Sequence, residues 1–377
     1  PKGEGTPFPF GGRVGDEGAQ LRKVRINMLS IGQPQIKLLE KLCNAMSVSG
    51  DEGEVRRIVL EEVKPYADEV KVDALGSVLV HKKSVGRKSL RVLFDAHMDE
   101  VGFMIVHDDD EGFFQFETVG GIDARHLIGK QVIVGKNHVV GVIGAKPIHL
   151  TTAEERKNTI EVDALRIDLG PEGKANAGDR ATFATKFKRV GPSIMAKAID
   201  DRIGVATLIE LLKNAPKNIE LCLSFSVQEE IGLRGAKVAG YYFDPDLAIA
   251  VDSTPARDLP DFDGHENFTY NTKLGLGPAI YMANSSTVDD PRLVKFLEET
   301  AIKNKIPYQF RQPGGGGTNA GAIQQSRAGV PVVSVSVPHR YTHSPISVSR
   351  VEDWKNTLNL LHTALKQIDP SLVKSKL

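Results

Sequence analysis

The chain has 377 residues, with 48 basic (Lys plus Arg) and 48 acidic residues, and 41% of its residues are hydrophobic. This length favours about two domains with a large core, and the balanced charge gives no global field that would attract nucleic acid or an anionic membrane. The sequence contains no run of 18 apolar residues, so we expect no transmembrane helix. These features predict a soluble protein that binds neither nucleic acid nor a membrane.

Residues 1–27 are rich in Gly, Pro and charged side chains and lack the apolar stretch of a secretory signal, which is typical of a disordered tail. The two cysteines, Cys43 and Cys222, lie in segments patterned as a buried helix face and a buried strand. We therefore expect free thiols and a reducing, cytoplasmic compartment.

Periodic patterns begin after Met28. Apolar residues spaced three and four apart predict two helices, with the faces Ile36, Leu38, Leu39, Leu42 and Met46, and Val55, Ile58, Val59 and Val63. Alternating apolar and polar residues then predict strands over 70–73, 77–81 and 90–95.

The pattern changes between about residues 102 and 190. Gly and Asp turns separate short β-like segments at 102–106, 113–118, 131–135, 139–145 and 159–165, with one short helix near 152–157. This spacing predicts a small β-rich domain, residues 102–190, inserted between two parts of a larger domain, residues 28–101 and 191–377.

Strands and helices alternate again after Ile194. We predict helices over 202–213, 233–239, 291–304, 320–325 and 352–368, and strands over 220–227, 247–252 and 332–336. Alternation of this kind indicates an α/β fold, with a mixed or parallel sheet covered by helices on both faces.

Polar residues stand where ligands bind in such a sheet, beyond the carboxyl ends of the strands. They are His97, Asp99, Asp200, Asp201, Glu229, Glu230, Asp252, His339 and His343. Any one of them alone is more often a helix cap or a satisfied structural residue. Together, imidazoles and carboxylates at successive strand ends predict a site for two divalent metals.

The motifs AHMDEVG, AIDDRIG, QEEIGLRGA, VDSTPARD, GGGGTNAGAI and RYTHSP resemble the tetrahedral aminopeptidase (TET) family of dinuclear metallo-aminopeptidases, whose members are also labelled glutamyl aminopeptidases or cellulases. The resemblance runs from about Met28 to the C-terminal helix. It implies a zinc-aminopeptidase-like sheet sandwiched by helices. It also implies that the β-barrel-like insert dimerises the chain and that dimers build a tetrahedral dodecamer.

The resemblance also implies roles for individual residues. His97 and Asp252 would bind one metal, Glu230 and His343 the second, and Asp200 would bridge them. Two ions per chain are expected, Zn or Co with Mn also acceptable. A hydroxide bridging these ions would attack the first peptide bond of short peptides, with Glu229 as general base. Asp99, two residues after His97, is placed to orient that imidazole.

Some positions stay open. Spacing alone does not choose between His339 and His343, and the family pattern Arg-Tyr-x-His-Ser favours His343, which leaves His339 to line the cleft. The Gly-rich stretch 314–317 lacks the Lys-Ser/Thr of a phosphate loop. The family usually has Thr-Asp-Ala-Gly after this stretch, whereas this chain has Asn319 at the Asp position, so the role of Asn319 is undetermined.

Two other functions remain possible on the sequence alone. One is a related metal-dependent deacylase, amidohydrolase or glycosidase, which would share much of this chemistry. The other is a catalytically inactive metal-binding scaffold, and the intact Glu229 and the complete set of candidate ligands argue against it.

Overall fold

The computed structural model describes residues 28–85, 90–260, 263–265, 267 and 271–373. The tail predicted over residues 1–27 lies outside this part. The described α-helices are α1 (Gln33–Asn44), α2 (Gly53–Val63), α3 (Ile199–Lys213), α4 (Arg234–Phe243), α5 (Pro291–Asn304), α6 (Asn319–Gln324) and α7 (Val351–Gln367). None of these helices combines the length and the apolar character needed to cross a bilayer.

The described strands form two sheets. They are β1 (Glu69–Val72), β2 (Val78–Lys82), β3 (Arg91–His97), β4 (Gly102–Asp108), β5 (Phe113–Val119), β6 (Gln131–Val134), β7 (Val139–Gly144), β8 (Arg166–Asp168), β9 (Arg180–Phe183), β10 (Lys188–Val190), β11 (Ser193–Ala196), β12 (Glu220–Ser226), β13 (Leu247–Pro255), β14 (Ala279–Tyr281), β15 (Gln309–Arg311), β16 (Val332–Arg340) and β17 (Ser347–Arg350).

The larger sheet has eleven strands in the order β1-β2-β12-β3-β13-β16-β17-β11-β10, with β14 beside β16 and β15 beside β14. Its centre, β12-β3-β13-β16, is parallel. The flanking pairs β2-β12 and β16-β17 are antiparallel, which makes the sheet mixed. Because the four central strands run in one direction, their carboxyl ends lie along one edge of the sheet.

Successive side chains of a strand point to opposite faces of the sheet, so the larger sheet packs against one hydrophobic core on each face. In β3, Val92 and Phe94 pack on the side of α1, α2, α3, α5 and α7, whereas Leu93 packs on the side of α4 and α6. Both faces of the sheet are therefore covered by helices, and the predicted α/β fold with a mixed sheet is confirmed. Cys43 and Cys222 are buried free thiols, as expected.

The second sheet is a closed barrel of β4-β5-β8-β7-β6-β9, which confirms the predicted barrel-like insert. Phe103 fills its centre, with edge-to-face contacts to Phe116 and Phe183 at ring-centroid distances of 5.2 Å. The barrel strands lie between residues 102 and 183, and β10 (188–190) pairs with β11 in the larger sheet.

The strand predicted at 159–165 is wrong. Residues Val162–Ala164 form a 3-10 turn, closed by a hydrogen bond from Leu165 N to Val162 O at 2.9 Å, and the strand β8 begins only at Arg166. The short helix predicted near 152–157 is a single 3-10 turn at Glu155–Lys157. Local turn hydrogen bonds thus replace ladder pairing in this part of the insert.

Candidate active site

The first half of the site lies at the end of β3. His97 is 2% exposed, and its Nε2 lies 3.3 Å from Asp200 Oδ1 and 3.8 Å from Asp252 Oδ1. His97 closes β3, Asp252 lies in the neighbouring parallel strand β13, and Asp200 lies in the first turn of α3. Adjacent parallel strands and one helix start therefore bring these three side chains together.

The second half lies on the opposite side of Asp200. His343 Nε2 is 3.1 Å from Glu230 Oε2 and 3.6 Å from Asp200 Oδ2. The two carboxylate oxygens of Asp200 thus face two different histidines, each accompanied by a further carboxylate. The structure brings together all five side chains predicted to bind metal.

Unusual backbone conformations place these groups. Asp200 and Asp201 have non-helical dihedral angles inside α3, and the peptide bond between them is cis. His343 has φ 53° in the loop after β16. The turn after β12 depends on Gly235, because a Cβ there would lie 2.5 Å from the backbone nitrogen of Val227.

Asp99 is fully buried and holds the turn that carries the two glutamates. Its Oδ1 accepts a hydrogen bond from Glu229 N at 3.0 Å, and its Oδ2 accepts from Glu230 N at 3.2 Å and from Ser49 Oγ at 2.6 Å. His97 Nδ1 lies 3.2 Å from the backbone oxygen of Asp99 and 3.5 Å from its Oδ1. Asp99 therefore contacts both the imidazole and the glutamate turn.

Asp201 also lies near His97 and Asp252, close enough for the three to share an ion. Its Oδ1 accepts a hydrogen bond from Gly204 N at 3.0 Å, and its Oδ2 accepts from His97 N at 3.3 Å. Both of its oxygens are thus occupied by backbone donors. Asp201 caps α3 and fixes the end of β3, which leaves Asp200 as the better ligand.

His339 does not line the cleft, contrary to the sequence-based expectation. It is fully buried, its Nε2 lies 2.6 Å from Thr342 Oγ1, and burial lowers its pKa to about 4. Burial opposes a charge on His343 as well, but the hydrogen bond and the negative charge of Glu230 outweigh it and raise the pKa of His343 to about 9. Of the two histidines, only His343 faces the carboxylates.

The site concentrates negative charge. Burial, followed by the nearby carboxylates, raises the pKa of Glu229, and burial likewise raises the pKa of Glu230 and Asp252. Within the described part of the chain, only histidines form ion pairs with these groups. Buried carboxylates without a Lys or Arg partner suit bound cations, so this set of donors fits divalent metals.

The cluster opens into a cleft of about 550 Å³. Besides the five candidate ligands and Glu229, its lining includes Ser253, Tyr281, Ser285, Ser286, Arg311, Gly316, Gly317 and Thr342. Sequence reasoning missed Arg311 and Tyr281, because β14 and β15 are three-residue strands without a clear alternating pattern. The one available signal was a cationic residue, Arg311, three positions before the Gly-rich stretch 314–317.

A model of the M42 glutamyl aminopeptidase family matches residues 76–360. The chain belongs to this family. It is 33% identical over 348 residues to the lysyl aminopeptidase of Pyrococcus furiosus, covering 89% of this chain and 97% of that one. This M42 chain is therefore an aminopeptidase, a hydrolase of peptide bonds, and its resemblance to the tetrahedral aminopeptidases is confirmed.

Solved structures agree with this family. The TET aminopeptidase of Thaumarchaeota archaeon SCGC AB-539-E09 has a TM-score of 0.85 at 34% identity, over 91% of the M42 chain and 99% of that chain. The Pyrococcus horikoshii TET1 peptidase can assemble into a tetrahedron or a large octahedral shell. It has a TM-score of 0.77 at 33% identity, over 89% of the M42 chain and 100% of that chain.

Proposed function

We propose that this aminopeptidase removes N-terminal residues from short peptides with two divalent cations in its cleft. His97 and Asp252 would hold one ion, His343 and Glu230 the other, and Asp200 would contact both. The observation that carries this proposal is the position of Asp200, whose Oδ1 lies 3.3 Å from His97 and whose Oδ2 lies 3.6 Å from His343. A carboxylate that faces two histidine-carboxylate pairs is what a bridging ligand requires.

Zn²⁺, Co²⁺ and Mn²⁺ all accept imidazole and carboxylate ligands, so the donor set leaves the choice of metal open. When bound, such cations would lower the pKa of a water in the cleft, so that hydroxide would be available near neutral pH. The candidate ligands and Glu229 line one cleft, which would hold this water, the peptide carbonyl and the leaving amine together.

Glu229 is proposed as the general base. It lines the cleft, and its carboxylate makes no hydrogen bond to a described residue. Asp99 fixes its backbone next to that of Glu230, so that the two adjacent side chains diverge, one toward His343 and one into the cleft. Glu229 would take the proton of the attacking water and deliver it to the leaving amine.

Two matched substitutions test these roles. Glu229→Gln should lower kcat by about two to four orders of magnitude while the metal content stays at two ions per chain, because only the proton carrier is lost. Glu230→Gln should lower the metal content as well. Hydrolysis of aminoacyl-p-nitroanilides and metal analysis of the same samples measure both effects. Equal metal loss in the two variants would show that Glu229 is a ligand.

The proposal includes assembly through the insert, residues 102–190, into dimers and then a dodecameric shell. The structural similarity to TET1 supports it, as do apolar side chains exposed on the insert: Val140 is 63%, Ile148 72% and Leu150 60% exposed. A shell would admit only short or unfolded chains, which suits a peptidase in the cytoplasm, where free thiols such as Cys43 and Cys222 persist.

Light scattering tests the assembly. With metal present, the particle should approach twelve times the 41.0 kDa of the chain. Ile148→Asp/Leu150→Asp should give smaller species, because charges would be buried at the subunit contact. A monomer in every condition refutes the shell, and an unchanged particle in the double variant refutes the role of this surface.

A further inference from the structure

The insert reaches the active site through the loop that follows β5, residues 120–123, here called the insert loop. Gly120 has φ 85°, a conformation that favours glycine, and a Cβ at this position would lie 2.8 Å from Val101 Cγ1 and 3.4 Å from Glu230 Cβ. A side chain at residue 120 would therefore push the loop away from Glu230. The backbone of the insert thus lies directly against one of the candidate metal ligands.

The next residue of the loop, Gly121, contacts a second candidate ligand, His343. A Cβ on Gly121 would lie 3.5 Å from His343 Nδ1, whereas Nε2 of the same ring lies 3.1 Å from Glu230 Oε2. Burial opposes a charge on His343, but Glu230 and a hydrogen bond to the backbone of Gly121 raise its pKa. Only an acceptor favours the protonated imidazole, so the partner is the carbonyl oxygen of Gly121, and Nδ1 donates to it.

The two histidines of the site are held in the same way but by different domains. His97 Nδ1 lies 3.2 Å from the backbone oxygen of Asp99, within the larger domain. His343 stands in an irregular loop, with φ 53°, and its Nδ1 meets the backbone of the insert. A carbonyl at Nδ1 keeps that nitrogen protonated and leaves the Nε2 lone pair for a cation. The orientation of His343 therefore depends on the insert.

The barrel fixes the position of the insert loop. Before the loop, Val119 pairs with Gly102 in the neighbouring strand. Within the loop, Ile122 packs against the barrel core, and after it Leu127 is buried in that core. The location of the Gly121 carbonyl is therefore set by the folding of the barrel.

We propose that the insert is a working part of the metal centre, because the carbonyl of Gly121 orients His343 to bind the second ion. Gly121 is a positioning residue, and Gly120 allows its backbone to come this close. The insert thus has a role within each subunit that is separate from the subunit contact proposed above. This inference rests on the proposed function of the cleft, since it concerns the ion assigned to His343 and Glu230.

Three substitutions test the insert loop. Gly120→Ala adds a methyl group that meets Val101 Cγ1 and should displace the loop. Gly120→Ala/Val101→Ala removes the obstructing atom and should recover part of the contact. Gly129→Ala is the matched control, because Gly129 also lies in the insert with a positive φ, 73°, but a Cβ there would meet no described atom within 4 Å.

A fourth variant weakens only the acceptor. The α-hydroxy acid analogue of Ile at position 122 converts the Gly121 carbonyl into that of an ester, which is a poorer acceptor, without adding a side-chain atom. The N–H that it removes has no acceptor among the described residues. This variant tests the hydrogen bond even if Gly120→Ala does not fold.

Isothermal titration of metal-free protein with Zn²⁺ measures the affinity for each ion, and thermal unfolding of the same samples shows whether each variant is folded. The wild type and Gly129→Ala should bind two ions with similar affinities. Gly120→Ala and the ester variant should bind one ion roughly 10- to 100-fold more weakly and the other unchanged, as expected for loss of a group that supports a ligand. Gly120→Ala/Val101→Ala should recover part of that affinity.

The inference is overturned if Gly120→Ala or the ester variant binds both ions as the wild type does, or if the two ions weaken equally. Weakening of the same ion by Gly129→Ala would also overturn it, because backbone strain in the insert would then be a sufficient cause. A wild type that binds fewer than two ions would instead count against the proposed function.

Discussion

Replacing His343 separates the two proposed metal positions. Its Nε2 lies 3.1 Å from Glu230 and 3.6 Å from Asp200, so His343→Ala removes the imidazole that forms an ion pair with Glu230. Loss of groups that merely support a ligand weakens metal binding about 10- to 100-fold, so loss of the ligand itself should weaken the second ion by at least about 100-fold. The first ion keeps His97 and Asp252, and the stoichiometry should fall toward one per chain.

His339→Ala is the matched control, four residues away. It removes a buried hydrogen bond to Thr342, which costs about 1–3 kcal/mol of stability, but no group of the cluster. This variant should still bind two ions. Isothermal titration of metal-free protein, with metal analysis after dialysis, gives both stoichiometry and affinity. Two ions bound by His343→Ala and one by His339→Ala would refute the ligand assignment.

Two further predictions concern buried carboxylates outside the metal cluster. Burial raises the pKa of Asp289 to about 6 from its ordinary 3.8, so the ionised form disfavours the fold and stability falls as the pH rises from about 4 to 6. Between pH 4 and pH 7, the free energy of unfolding of Asp289→Asn should therefore rise by on the order of 3 kcal/mol relative to that of the wild type. Denaturant unfolding at both pH values measures this difference, and a difference that does not change with pH would contradict the prediction. Asn319 Nδ2 donates to the buried Asp95 Oδ1 at 2.6 Å, so Asn319→Asp alone should bring two carboxylates together and lower both the unfolding midpoint and kcat/KM. The exchange Asp95→Asn/Asn319→Asp should restore both quantities, and a double variant worse than the single one would show that the pair does not act in this way.

Much of the fold could be predicted because its elements carry strong local patterns. The helix predicted at 291–304 coincides with α5, and the apolar face predicted over Val55 to Val63 is the buried face of α2. The short strands β14, β15 and β17 could not be predicted, since three or four residues are too few to show alternation and their pairing depends on distant strands. The strand predicted at 159–165 was wrong because local hydrogen bonds hold the backbone around 162–165 in a 3-10 turn.

For the site, the sequence predicted which residues gather, because parallel strands end at one edge of the sheet. The pattern of residues alone did not divide them into two groups, and the division expected here came from the family resemblance. That Asp200 faces both His97 and His343 depends on the non-helical start of α3, and that His339 turns away depends on its bond to Thr342. The position of Arg311 against Tyr281 requires β15 to pair with β14, a contact between residues far apart in the chain.

Metal removal and restoration tests the central claim most directly. The protein is dialysed against a chelator, then titrated with Zn²⁺, Co²⁺ or Mn²⁺, while bound ions per chain and hydrolysis of Leu-p-nitroanilide are measured on the same samples. In the proposed mechanism bound cations would supply the activated water, so the metal-free enzyme should lose at least about 99% of its activity and recover it as the stoichiometry approaches two. Undiminished hydrolysis by protein shown to be free of metal would contradict the account.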